Sequence, residues 1–166
     1  MTQTEKDKII KELQEKLAKA EKIKVDKPKR WKPQYDEIYY YVEPDGDVDF
    51  CKYMTTSYDR PFDDWQYLTG NCFKTVEEAV EHKKQIEYTA RYKNYIEEHS
   101  EPIDWEDFNQ NKYLAFFDFR NHSVSIDWGH LIKKQGTIYA SSEQIILDAI
   151  KEIGEDNFKK YVLGVK

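Results

Sequence analysis

The stretch GNCFKTVEEAV, residues 70–80, returns 66 residues further on as GTIYASSEQII, residues 136–146. Aligned, Gly70 stands over Gly136, Phe73 over Tyr139, Thr75 over Ser141 and Glu77 over Glu143. Each copy reads as a short strand carrying an aromatic, then a hydroxyl residue suited to cap a helix, then acidic side chains where the helix dipole favours negative charge. Working outward, a hairpin pattern precedes each copy. In the first, strands over 37–42 and 48–54 flank Pro44-Asp45-Gly46-Asp47, where proline presets φ and glycine accepts a positive φ. In the second, strands over 113–119 and 123–128 flank Arg120-Asn121-His122. Downstream, the spacing predicts helices over 76–98 and 142–153, the latter stopped by Gly154, and a short helix over 156–161. The expected fold class is therefore α+β. Two βββα repeats, about 37–99 and 112–161, form one antiparallel sheet with helices on one face, because a three-stranded unit alone cannot bury both faces. The connection over 100–111 reads as packed, since Ile103, Trp105 and Phe108 alternate there with acidic residues.

The charge is distributed unevenly. Residues 1–32 hold 11 basic and 6 acidic side chains, a net +5, and the remaining 15 basic and 26 acidic ones leave 33–166 at −11. Ile10, Leu13, Leu17 and Ala20 recur at spacings of three and four, which predicts an amphipathic helix over 4–24 ending ahead of Pro28 and Pro33. Residues 1–32 then form a basic helical arm and linker, and 33–166 a single domain. Too short to be stable alone, such a helix packs on its own domain, frays, or forms a homodimer. Lys27, Lys29, Arg30 and Lys32 with Trp31 offer a second use, contact with a nucleic-acid backbone and a stacked base.

Aromatic residues make up 15% of the chain, too many for disorder despite 35% charged residues. No apolar run is long enough for a membrane span, and the first residues lack the apolar core of a signal peptide. Two cysteines, Cys51 and Cys72, make no disulfide framework and read as small core residues of strands; together these points predict a cytosolic protein. Asp45, Asp47 and Asp49 begin like a calcium loop, but Phe50 and Thr56 stand where the loop needs glycine and glutamate. His82, His99, His122 and His130 have no metal-binding spacing, and no phosphate-binding glycine loop or nucleophile motif occurs. The expectation is a non-enzymatic protein with neither cofactor nor metal. What remains is surface. The irregular stretch over 55–69 interleaves Tyr58, Trp65 and Tyr67 with Asp59, Asp63 and Asp64, and a second acidic group comprises Glu97, Glu98, Glu101, Asp104, Glu106 and Asp107. Aromatic rings among carboxylates suit recognition, and a row of carboxylates imitates a phosphate backbone.

Trp31-Lys32-Pro33 leading to Glu37-Ile38-Tyr39-Tyr40-Tyr41-Val42, the segments 70–79 and 138–143, Asp104-Trp105-Glu106 before Lys112-Tyr113, and Ile153-Gly154-Glu155-Asp156 carry a resemblance. The chain resembles small accessory proteins of phages and prophages of Gram-positive (Firmicute) bacteria, which have no assigned activity. The match spans most of 31–166, with Asp36 where such proteins often have glycine. It implies an accessory protein acting in the host bacterial cytoplasm, and by analogy of class an inhibitor of a host or defence nucleoprotein, of anti-CRISPR or anti-restriction type, that offers Asp59, Asp63, Asp64, Trp65, Glu97, Glu98, Glu101, Asp104 and Glu106 to a basic surface.

Overall fold

The computed structural model describes residues 30–54, 60–129 and 133–165. The chain divides into two units, residues 1–32 and 33–166. The helix expected over 4–24 lies outside the described residues, as do Lys27, Lys29, Asp59 and His130.

The second unit opens with an antiparallel hairpin, β1 (Ile38–Val42) and β2 (Val48–Lys52), in the register Tyr40 opposite Phe50. Its turn closes by bonds from Glu43 N to Asp47 O and from Gly46 N to Glu43 O, with Gly46 at φ 92°. Asp36 enters the hairpin at φ 63°, a left-handed conformation that short polar side chains tolerate, and its carboxylate meets Lys52 Nζ at 3.0 Å. Helix α1 (Arg60–Thr69) and helix α2 (Val76–His99) follow. A second hairpin, β3 (Lys112–Asp118) and β4 (Ser123–Gly129), places Tyr113 opposite Trp128. The chain ends in α3 (Glu143–Ile153), the single turn α4 (Glu155–Asn157) and a π-helical turn, Phe158–Val162.

The architecture is α+β, but the two hairpins are separate two-stranded sheets, where one continuous sheet was expected. Nor, among the described residues, does either hairpin have a full third strand. One antiparallel bridge replaces it, Tyr40 to Phe73 in the first and Tyr113 to Ala140 in the second. Side-chain chemistry explains why the first ladder stops. Asn71 donates from Nδ2 to Val42 O and accepts from Val42 N at Oδ1, both at 2.8 Å, so an amide stands where a strand backbone would continue.

Both long helices start on hydroxyl caps. Thr75 accepts from Glu78 N in α2, and Ser142 accepts from Ile145 N in α3. The expected cap of α3, Ser141, serves elsewhere: its Oγ accepts from Glu101 N at 3.0 Å. The 66-residue offset thus holds at the glycines and becomes 67 from the bridged Phe73 to Ala140 and from the cap Thr75 to Ser142, while the bridged tyrosines, Tyr40 and Tyr113, lie 73 apart. The extra residue reverses which face each side chain takes, so Tyr139 does not repeat Phe73. Instead Tyr139 is buried and meets Trp105 edge-on, 5.0 Å between centroids.

Helix α2 packs on β1, β2, α3 and the π turn, and α3 packs on β3. The apolar core gathers Tyr92 and Ile96 from α2, Ile146, Ala149, Ile150 and Ile153 from α3, Ala140 and Phe158. The connection over 100–111, expected to be packed, is so only in part: Ile103 and Trp105 are half-buried, whereas Phe108 is 65% exposed. Lys112, fully buried, donates from Nζ to Asp107 O and Gln110 O at 2.7 and 2.9 Å and lies 5.7 Å from the Trp105 ring centre. A buried ammonium requires such partners. No described helix is long and apolar enough to cross a membrane.

Candidate functional site

The stretch over 60–69, expected to be irregular, is helix α1. Pro61 is compatible with a helix only in its first turn, where its missing N–H costs nothing, and Asp63 complements the dipole there. The helix has two working faces. Asp63 and Gln66, three residues apart, turn inward and are buried. Phe62, Trp65 and Thr69 form the wall of a cleft.

The inward face is polar but satisfied. Asp63, with no exposed surface, accepts from Tyr39 OH and from Met54 N, each at 2.7 Å. Burial and this carboxylate push the Tyr39 phenol far above its ordinary range. Gln66 accepts from Asn71 Nδ2 at 2.8 Å, and Asp64 accepts from Tyr53 OH at 2.9 Å. Asp63, expected on a partner-binding surface, is therefore a structural residue: a carboxylate with no exposed surface, bonded to two donors inside the fold, is out of a partner's reach.

The cleft has a volume of about 750 Å³ and lies between the β1–β2 turn, α1 and α2. Phe62, Trp65 and Ile86 line it while 44%, 58% and 51% exposed. Tyr41 extends the wall, its ring meeting Phe62 edge-on at 5.4 Å. Its hydroxyl lies 3.2 Å from Glu43 Oε1 and 3.4 Å from Asp49 Oδ2, and burial, with these carboxylates, pushes its pKa up to about 12. Glu43, Asp45 and Glu87 supply negative charge around the cleft, and Lys83 positive charge. A methyl group on Gly46 would come within 3.9 Å of Lys83 Cε, so the turn and α2 approach closely. His82 tilts against Phe73, 4.9 Å between centroids, and burial holds its pKa below the ordinary value. Apolar walls with charges around them can seat an apolar side chain and orient a charged neighbour.

The other expected contact residues lie apart from this cleft. Glu97, Glu98, Glu101, Asp104 and Glu106 are exposed at the end of α2 and in the connection after it. Glu97 pairs with Lys93 at 3.6 Å and shares a recess of about 230 Å³ with Trp105 and Lys133. From Ile86 to Glu97 is about 16 Å along the helix, at 1.5 Å per residue. Arg30 and Lys32 are exposed and Trp31 is half-buried. Asp45 accepts from Asp47 N, and Asp49 from Phe50 N; no group of three or more His, Cys, Asp and Glu side chains suited to a metal occurs among the described residues. Cys72 is buried and Cys51 half-buried.

Sequence reasoning singled out Trp65, with Phe62 beside it as a residue that a loop folded over the sheet would cover, but missed Ile86 as their companion and the turn Glu43-Pro44-Asp45 as their surround. A helical reading of 60–69 would have placed Phe62, Trp65, Gln66 and Thr69 along one stripe. Compared with protein-family models, with curated proteins and with solved structures, the chain matches none.

Proposed function

We propose that this chain is a non-enzymatic binding protein whose docking site is the cleft between the β1–β2 turn, α1 and α2. What supports the reading is one arrangement: Phe62, Trp65 and Ile86, large, apolar and exposed, share a cleft with three carboxylates and one ammonium. Apolar rings inside a polar rim are how a small surface gains affinity from a few anchors. The occupant is a protein segment with an apolar anchor and basic flanks, which Glu43, Asp45 and Glu87 attract. The net charge of −11 over 33–166 assists its approach. His82, tilted against Phe73 and held below its ordinary pKa by burial, forms part of the wall.

The partner we propose is a host or defence nucleoprotein with a basic surface, the class suggested by the resemblance to phage accessory proteins. Glu97, Glu98, Glu101, Asp104 and Glu106 extend the acidic surface along α2. We also read the two hairpin, bridge and helix stretches as copies of one βββα unit, supported by a bridge residue and a helix cap that recur together after 67 residues, Phe73 as Ala140 and Thr75 as Ser142.

Retention of a partner from bacterial lysate tests the reading, with wild type beside Trp65→Ala/Ile86→Glu. The expected result is one protein retained by wild type and lost from the double variant, since a central tryptophan anchor contributes about 2 kcal/mol or more. A partner retained equally by both rules out the cleft.

A further inference from the structure

The outer edges of the two hairpins carry the same small device. In an antiparallel pair, residues alternate between those whose N–H and C=O face the neighbouring strand and those that face away. Tyr40 exchanges both of its backbone bonds with Phe73 at 2.9 Å, and Tyr113 does the same with Ala140. Neither tyrosine therefore bonds across its own hairpin. Their cross-strand partners are Phe50 and Trp128, which must turn their N–H and C=O outward, toward the edges of β2 and β4 that pair with no other described strand. In both strands the preceding residue is an aspartate. Its Oδ1 accepts that outward N–H at 2.8 Å, Asp49 from Phe50 and Asp127 from Trp128.

Each site is otherwise suited to strand pairing. Phe50 is 61% exposed and Trp128 53%, and an edge that displays backbone donors beside aromatic side chains is a template for another strand. A second copy of this chain is the natural occupant, because an antiparallel edge is complementary to itself across a twofold axis. An incoming strand would have to place a carbonyl oxygen on the Phe50 or Trp128 N–H. There it meets a carboxylate already bonded to that donor and repelling the carbonyl dipole. Tyr41 adds to the hold in the first hairpin, its hydroxyl 3.4 Å from Asp49 Oδ2.

We propose that Asp49 and Asp127 are edge guards, each occupying the outward N–H of its neighbour and so denying β2 and β4 to the matching strand of a second copy. The test is solution mass by light scattering over a concentration series. It compares wild type, Asp49→Ala/Asp127→Ala and Asp49→Asn/Asp127→Asn, with circular dichroism to report folding. The alanine pair should gain mass with concentration while its secondary structure stays unchanged. The asparagine pair should behave as wild type, because its amide oxygen still accepts the N–H. No gain in the folded alanine pair overturns the proposal. An equal gain in the asparagine pair also overturns it, by assigning the effect to charge alone. Amide hydrogen exchange in the wild-type protein gives an answer even if the alanine pair does not fold. The Phe50 and Trp128 amides should exchange at least roughly tenfold more slowly than their intrinsic rates, the factor that corresponds to a bond of ordinary strength. Exchange of either at its intrinsic rate removes the guard.

Discussion

Tyr39 and Tyr92 are both buried, yet their hydroxyls meet opposite environments. Tyr39 donates to the enclosed carboxylate of Asp63, whereas Tyr92 Oη has no hydrogen-bond partner among the described residues. Replacing Tyr39 by phenylalanine leaves a buried carboxylate oxygen without its donor and should cost about 1.5–3 kcal/mol in urea denaturation. Tyr92→Phe removes a polar atom that gains nothing from folding, and should leave stability unchanged or raise it by up to about 1 kcal/mol. A loss of stability in Tyr92→Phe as large as that in Tyr39→Phe would contradict this difference. His82 makes the pH dependence at this scale. Burial lowers its pKa in the folded chain, so the unfolded chain binds the proton more readily. The contribution is complete above the unfolded value of about 6.5 and is lost as pH falls below it. Denaturation midpoints should therefore drop on acidification from pH 7, and His82→Gln should lack that part of the drop.

At the scale of the elements, side chains finish what the backbone begins. Asn71 takes both backbone groups of Val42 and also donates to Gln66. Asn71→Ala should cost about 2 kcal/mol, and Asn71→Asp little less, because a carboxylate keeps only the acceptor and faces two oxygens. The two adjacent serines before α3 separate a cap from a tie. Ser142→Ala should cost about 1 kcal/mol through the helix, while Ser141→Ala should act on the connection at Glu101 and leave α3 intact, as helix amide exchange would report. The hairpin turns and the helix bounds were legible in the sequence because they depend on local chemistry: Gly46 at a positive φ, Thr75 at a cap, Gly154 at a stop. Helix α1 was not legible. Pro61 and three aspartates within 59–64 read as a loop, and the identity of the helix rests on Asp63 and Gln66 finding partners in β1 and in the segment after α1.

For the whole molecule, charge and shape act together. If Glu43, Asp45 and Glu87 guide a basic partner to the cleft, association should slow as salt rises, and Glu43→Lys/Asp45→Lys/Glu87→Lys should slow it further while the dissociation rate changes less. Stopped-flow association at two ionic strengths measures this; a rate insensitive to both changes would remove charge guidance from the account.

By itself the sequence determined the α+β class, both hairpins, the caps of α2 and the stop of α3, and the acidic character of residues 33–166. All of these follow from periodicity, turn chemistry and composition, which act over a few residues or over none in particular. Tertiary structure alone decided that the hairpins remain separate sheets, that Asp63 turns inward while Trp65 turns out, and that Ile86 from α2 joins Phe62 and Trp65 from α1. These depend on contacts between segments far apart in the chain. A carboxylate three residues into a helix reads the same whether a tyrosine or water awaits it, and only the packing of β1 against α1 supplies the tyrosine.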